Sequence, residues 1–295
     1  VNFNLLLDEH NLDVLFVSSE HNVRYLSGFT HAKDARVVIT RAGATLITDG
    51  RYIVEASQQP LPHRILLKRT EMNSLLREFF QGQVGIEAEH LSVATLEGFK
   101  RDFPTLEFVP TTRVLEKLRS RKTPEEIARI RKAAELTDLG FEHILSLIKP
   151  GVREIEVALE LEFFLRKNGS EGLAFSVTVA SGERGARPHG GASERKIREG
   201  ELVTLDFGSV IGGYCSDMTR TVAVGRVSAE LQALYQAVLE AQTLALEAVG
   251  PGKKGQELDE IARSHLSSLG YGEYFTHGLG HGVGLFIHEE PSLGQ

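Results

Sequence analysis

The segment from Leu202 to Val224 constrains this 295-residue chain more than any other. LVTLDF (202–207) and CSDMTRTVAV (215–224) have the β-branched and apolar composition of paired strands, and Gly212-Gly213 between them is a hairpin signal. Centring the turn on Ile211-Gly212 sets Asp206 directly across from Asp217, with Cβ atoms roughly 5 Å apart. Alternation then places Thr204 and Asp206 on the face of Asp217, Thr219 and Thr221, and Val203, Leu205 and Phe207 on the other. One face is a core and the other a polar pocket. Two carboxylates so placed repel, and a cation between them turns repulsion into binding, since hard divalent metals prefer oxygen donors. A solvated hairpin face carrying two acids by chance fits the same residues, and a bulge would shift the pairing.

The bulk numbers narrow the classes. A chain with 41% hydrophobic and 25% charged residues is an ordinary globular composition with room for two domains. A net charge of −7 argues against a nucleic-acid or anionic-membrane partner. Cys215 is the single cysteine, so no intrachain disulfide can form, and no secretory leader pattern opens the sequence; the expected compartment is the cytoplasm. No apolar run approaches the roughly 20 residues of a membrane-spanning helix.

Short apolar runs at VLFVSS (14), ARVVIT (35), ATLIT (44), HRILLK (63) and QVGIEA (83) alternate with polar or helical stretches, which predicts a small α/β domain over residues 1–118. Thr123-Pro124-Glu125-Glu126 combines an N-cap, a proline at the first helical position and a glutamate at the third. A long helix is predicted from there to the stop at Lys149-Pro150-Gly151, opening a second domain over 119–295. That domain holds a faint repeat. Pro150-Gly151 overlays Pro251-Gly252, Glu156 overlays Glu257, Leu165 overlays Leu266 and Gly169 overlays Gly270, as in two α+β halves facing each other across a cleft.

HGLGHGVGLFIHEEP (277–291) concentrates histidines among the glycines 278, 280, 282 and 284, and residues without side chains let other groups approach the backbone closely. A phosphate cradle does not fit, because the spacing is not G-x-G-x-x-G and no Gly-Lys-Ser/Thr follows. A zinc-protease helix does not fit either, because His288-Glu289-Glu290-Pro291 lacks a second histidine and carries a proline.

ArgProHisGly (187–190), LeuAspPheGly (205–208), SerAspMetThrArgThr (216–221), and GlyHisGlyValGly followed by HisGluGluPro (280–291) together resemble the pita-bread M24 metallopeptidases, in the proline dipeptidase and Xaa-Pro aminopeptidase (creatinase-like) branch. The resemblance covers essentially the whole chain. It implies an α+β protein, with a creatinase-like N-terminal α/β domain followed by a pseudo-twofold pita-bread catalytic domain. It further implies hydrolysis of Xaa-Pro dipeptides by water activated between two divalent ions, with manganese expected and cobalt or zinc as alternatives. By position, Asp206 matches a terminal ligand of the first metal, Asp217 a carboxylate bridging both, and His281 the nitrogen ligand of the second. His189 and His288 match non-ligand catalytic histidines that hold the substrate carbonyl and developing charge. His277 is expected to be structural or to support a ligand, Thr219 to hydrogen-bond a ligand carboxylate, and Cys215 to be a packed residue. A homodimer is implied. The alternatives are an Xaa-Pro aminopeptidase acting on longer peptides, a creatinase-like amidinohydrolase and a metal-free peptide-binding module of the same fold.

The family completes its two-metal site with two glutamates on strands beyond the histidine motif, and the sequence reaches Gln295 before either. Three ligands would hold a cation only loosely. With Val1 in first place, the expectation is that the natural chain is longer.

Overall fold

The computed structural model describes residues 1–187 and 190–294, apart from the side chain of Arg69. The chain divides into two units, Val1–Arg119 and Ser120–Gln295.

In the first unit the strands β1 (Val14–Val17), β2 (Arg36–Thr40), β3 (Gly43–Asp49), β4 (His63–Leu66), β5 (Gln83–Glu87) and β6 (Glu107–Thr111) form one sheet in the order β4-β3-β2-β1-β5-β6. β1 runs antiparallel to β2 and parallel to β5, so the sheet is mixed. β1 is buried along its whole length, as its unbroken run of apolar residues requires. The five apolar runs in the sequence become β1 to β5. β6 lacks such a run and carries Pro110, which an edge strand tolerates because it need not donate on its open side.

The second unit begins with the helix Pro124–Leu145. Thr123 Oγ1 accepts from the Glu126 amide at 3.3 Å, and Glu126 accepts from the Thr123 amide at 2.7 Å, the reciprocal box legible in the sequence. The helix ends at Leu145, earlier than Pro150 alone would dictate, because its last turn tightens: the Leu147 amide bonds to the Ile144 carbonyl at 2.9 Å. The helix Glu154–Lys167 packs beside it, and Gly140 permits a close crossing, since a Cβ there would lie 3.0–3.1 Å from the side chains of Leu165 and Leu161. A three-stranded antiparallel sheet in the order β11-β8-β7 follows, from β7 (Thr178–Ser181), β8 (Leu202–Phe207) and β11 (Met218–Ala223), with the small hairpin β9 (Val210–Ile211) and β10 (Tyr214–Cys215) between the last two. Val203, Leu205 and Phe207 are fully buried and share one core with Val157, Leu161 and Leu165.

The helices Ala229–Ala248 and Gly255–Ser268 then repeat the first pair. Gly151 and Gly252 both take positive φ (93° and 83°), as do Gly169 and Gly270 (105° and 83°). The Glu156 carboxylate accepts from the Arg153 amide at 2.8 Å and the Glu257 carboxylate from the Lys254 amide at 3.2 Å, so the second helix of each pair opens on the same glutamate-to-amide bond. The Ser170 amide bonds to the Leu165 carbonyl as the Tyr271 amide does to that of Leu266. Two strands, β12 (Gly280–Gly282) and β13 (Glu289–Leu293), complete the described chain as an antiparallel pair with a register shift after His281.

The helical spacing of Leu231, Leu234, Val238 and Leu239 predicts a core stripe, and for the last three that expectation fails. The stripe Leu234, Val238, Leu239 is exposed, and the buried face of its helix is Ala237, Ala241 and Ala245. Small side chains at i, i+4, i+8 let the two helices lie close together, leaving the larger ones outside.

Candidate active site

The hairpin register differs from the expected one by two residues. Gly212 and Gly213 both have positive φ (58° and 84°), so they are the two central residues of the turn, and Ile211 pairs with Tyr214. Asp206 therefore stands opposite Thr219, not Asp217. Counting on from that register, Asp217 falls opposite Gly208, just before β11 begins. A shift of two preserves the side-chain alternation, so Asp206, Asp217, Thr219 and Thr221 keep the polar face assigned to them. Thr219 Oγ1 donates to Asp206 Oδ1 at 2.9 Å, and the hydroxyls of Thr204 and Thr221 lie 3.2 Å apart.

Gly208 is required by close approach. A Cβ at this position would overlap the Ser216 carbonyl, because Ser209 and Ser216 are joined across the break in the ladder by the Ser216 amide to the Ser209 carbonyl (2.9 Å) and the Ser209 amide to Ser216 Oγ (3.0 Å). The strands thus bend where Asp217 emerges. Cys215 is buried, and its amide donates to the Gly284 carbonyl at 2.7 Å, which ties the hairpin to the histidine-bearing loop.

His281 lies on β12, its Nδ1 3.0 Å from the Gly282 carbonyl. A carbonyl can only accept, so Nδ1 carries the proton and Nε2 of the neutral ring is left with its lone pair. That Nε2 is 3.4 Å from Asp217 Oδ2. Two donors bound to one small divalent ion at about 2.1 Å each are separated by roughly 3.0–3.4 Å in octahedral or tetrahedral geometry, and this pair has that spacing. The His281 and His288 rings are 4.3 Å apart between centroids. Leu285 and Ile287 are buried while Phe286 and His288 are exposed, so alternation in this loop turns His288 outward toward the same pocket.

The electrostatics agree with that grouping. Burial, then the negative charge of Asp206, push the Asp217 carboxyl above its usual range, and the nearby His281 and His288 pull it back. Asp206, Asp217, His281 and His288 thus come together. Among the described residues no three His, Cys, Asp or Glu side chains close into a single shell. Asp217 lies between Asp206, its neighbour along the strand face, and His281, its neighbour across the pocket. His189 lies outside the described residues.

Two buried groups that sequence reasoning missed hold the surrounding loops. Glu154 is fully buried and accepts from the amides and hydroxyls of Ser181 and Ser193 and from Arg184 Nε at 3.0 Å. Lys122 Nζ meets Glu289 Oε2 at 2.9 Å with both side chains largely buried, while Glu289 Oε1 accepts from the Phe286 amide at 3.0 Å. A capping glutamate at a helix start was visible for Glu126; nothing in the linear pattern set Glu154 or Lys122 apart.

Two matched helix pairs, one over a three-stranded sheet and one beside a two-strand pair, with a pocket of two carboxylates and two histidines, have the plan of a pita-bread metallopeptidase, a hydrolase. The chain belongs to metallopeptidase family M24, whose model matches residues 128–295, and residues 2–121 match the creatinase/prolidase N-terminal domain. It is 39% identical to the Xaa-Pro dipeptidase of Pyrococcus furiosus, over 98% of this chain and 82% of that protein. Among solved structures, the Xaa-Pro dipeptidase from Bacillus anthracis aligns with a TM-score of 0.94 at 42% identity, covering 99% of this chain and 83% of the other. An X-Pro aminopeptidase from Thermotoga maritima aligns with a TM-score of 0.88 at 33% identity, covering 96% and 83%.

Proposed function

We propose that this enzyme hydrolyses the bond before proline in Xaa-Pro dipeptides, using divalent metal held by Asp206, Asp217 and His281, with His189 and His288 as catalytic histidines. The observation that carries the proposal is the 3.4 Å approach of His281 Nε2 to Asp217 Oδ2 beside Asp206. Like charges on one half-buried face are unfavourable alone, and a cation between them reverses the sign. In the two-ion arrangement that the family implies, Asp217 would serve both ions, with Asp206 at the first and His281 at the second, and further ligands would have to come from outside these three residues. Manganese is the expected metal, with cobalt and zinc as alternatives. The names borne by the relatives support the substrate class.

When bound, the ions act as Lewis acids that polarise the scissile carbonyl and lower the pKa of water. The chain's own residues do the rest. Thr219 fixes the rotamer of Asp206, and the Gly282 carbonyl fixes the tautomer of His281. His288, beside His281, presents a ring N–H to the substrate carbonyl oxygen as negative charge develops there. An imide bond before proline has no N–H and a fixed φ, so recognition must come from shape and from the carbonyl. The division into two units fits boundaries near residue 118, and the reading includes a homodimer in the cytoplasm.

The test is proline release from Ala-Pro by the purified, chelator-treated chain, with Mn²⁺, Co²⁺ or Zn²⁺ added back. Metal-dependent release of proline is expected. Hydrolysis of Ala-Pro-Ala in preference to Ala-Pro would move the assignment to an Xaa-Pro aminopeptidase, as the Thermotoga relative is named. Full activity in Asp217→Asn would remove the metal assignment.

A further inference from the structure

Asp259 and Arg263 sit one turn apart on the helix Gly255–Ser268, on the face that also buries Leu258, Ala262 and Leu266. Asp259 is fully buried. The pair is bidentate, with Arg263 Nε to Asp259 Oδ2 at 2.8 Å and Nη2 to Oδ1 at 3.0 Å. What distinguishes it from an ordinary i, i+4 pair is how the remaining capacity is used. Arg263 Nη1 donates to the Phe275 carbonyl at 2.6 Å, Nη2 donates to the His277 carbonyl at 2.8 Å, and Asp259 Oδ1 accepts from the Leu279 amide at 2.9 Å. The guanidinium also lies over the Phe275 ring, 4.4 Å from its centroid. Three alternate residues, 275, 277 and 279, are thus gripped through their backbone by one ion pair, and His281 is the next in that series.

Phe275 and Leu279 pack against the helix pair, and the backbone around them has little else to fix its course. Gly278 and Gly280 offer no side chains to pack, and the adjoining β12 is three residues long, with its register shift after His281. A metal ligand must be placed to within about 0.2 Å. A buried ion pair is a poor source of net stability compared with apolar packing of the same volume, because both charges lose their water. Its advantage is directional: only a planar fork can satisfy a carboxylate and two carbonyls at fixed angles.

We propose that Asp259 and Arg263 are positioning residues for His281, setting the backbone that delivers its Nε2 toward Asp217. The inference rests on the metal reading above. It is tested on the full chain by titrating Co²⁺ calorimetrically and by its visible absorption, with thermal unfolding measured alongside. Arg263→Lys keeps the charge and loses the fork; Asp259→Asn keeps the shape and the acceptor for Leu279. Each folded variant is expected to bind Co²⁺ about 10–100-fold more weakly than the parent, with an altered Co²⁺ spectrum. Should Arg263→Lys fail to fold, Asp259→Asn decides by the same readouts. Parental affinity and spectrum in the folded variants would overturn the inference, and if His281→Ala abolished binding in the same series the metal reading would stand without it. A parent chain that takes up no Co²⁺ would overturn both.

Discussion

The two halves of the second unit share a helix-pair plan and differ in what the helices cover. The first pair lies on a three-stranded sheet and buries Val203, Leu205 and Phe207 against Val157, Leu161 and Leu165. The second pair packs mainly through Ala237, Ala241, Ala245 and Ala262 with Leu266, beside the two strands β12 and β13. The first half therefore positions its carboxylates by strand register, which a hydrophobic face enforces on every residue. The second positions its histidines by glycine-permitted close contacts and by buried ion pairs. Duplicated architecture has not brought a duplicated means of precision.

That contrast can be broken or sharpened by mutation. Asp217→Asn is expected to lower metal-dependent Xaa-Pro hydrolysis by about 10³-fold or more with the circular dichroism spectrum unchanged, an effect of roughly 4 kcal/mol on the barrier; near-parental turnover would place the chemistry elsewhere. Phe207→Ala should cost about 3–4 kcal/mol in denaturant unfolding, since the side chain is fully buried in the sheet core. Ala241→Gly, at the matching depth in the second half, should cost only about 1 kcal/mol, mostly helix propensity. Equal losses from these two would show that the halves are not packed so differently. Thr219→Val should weaken metal binding about tenfold by freeing the Asp206 carboxylate, with little change in melting temperature.

The smallest expected effect concerns pH. Hydrogen bonds from Arg263 hold the Asp259 carboxyl below its ordinary value of 3.8. A depressed folded-state pKa contributes stability that is complete above the ordinary value and is lost as pH falls through the depressed one. Urea midpoints measured between pH 5 and 2 should fall less steeply in Asp259→Asn than in the parent. An unchanged slope would mean that the pair does not bear on acid stability.

How much of this was legible in the sequence followed the range of the interactions involved. The capping box at Thr123-Glu126, the Gly-Gly turn and the matched Pro-Gly breaks are local, and each is written within a few residues. The register was misplaced because the turn was centred on Ile211-Gly212, whereas the two positive-φ residues Gly212 and Gly213 form its centre; the face assignment survived because the displacement was even. The leucine stripe of Ala229–Ala248 misled because size suggested burial, while the neighbouring helix selected the alanines. Glu154, Lys122 and Asp259 were invisible for a different reason. Their meaning depends on partners brought close only by the fold, such as Glu289, 167 residues from Lys122.

The tight turn at Gly212-Gly213 also bears on the order in which the pocket can assemble. Asp206 and its threonine partner are 13 residues apart along the chain, whereas Asp217 and His281 are separated by 64 positions. Closing the longer loop costs about 1.4 kcal/mol more in chain entropy, and two helices must dock before it can close. Chain entropy thus favours closing the hairpin that carries the acidic wall over joining the imidazole wall to it, and a cation meeting the chain before the second helix pair docks would find carboxylates alone.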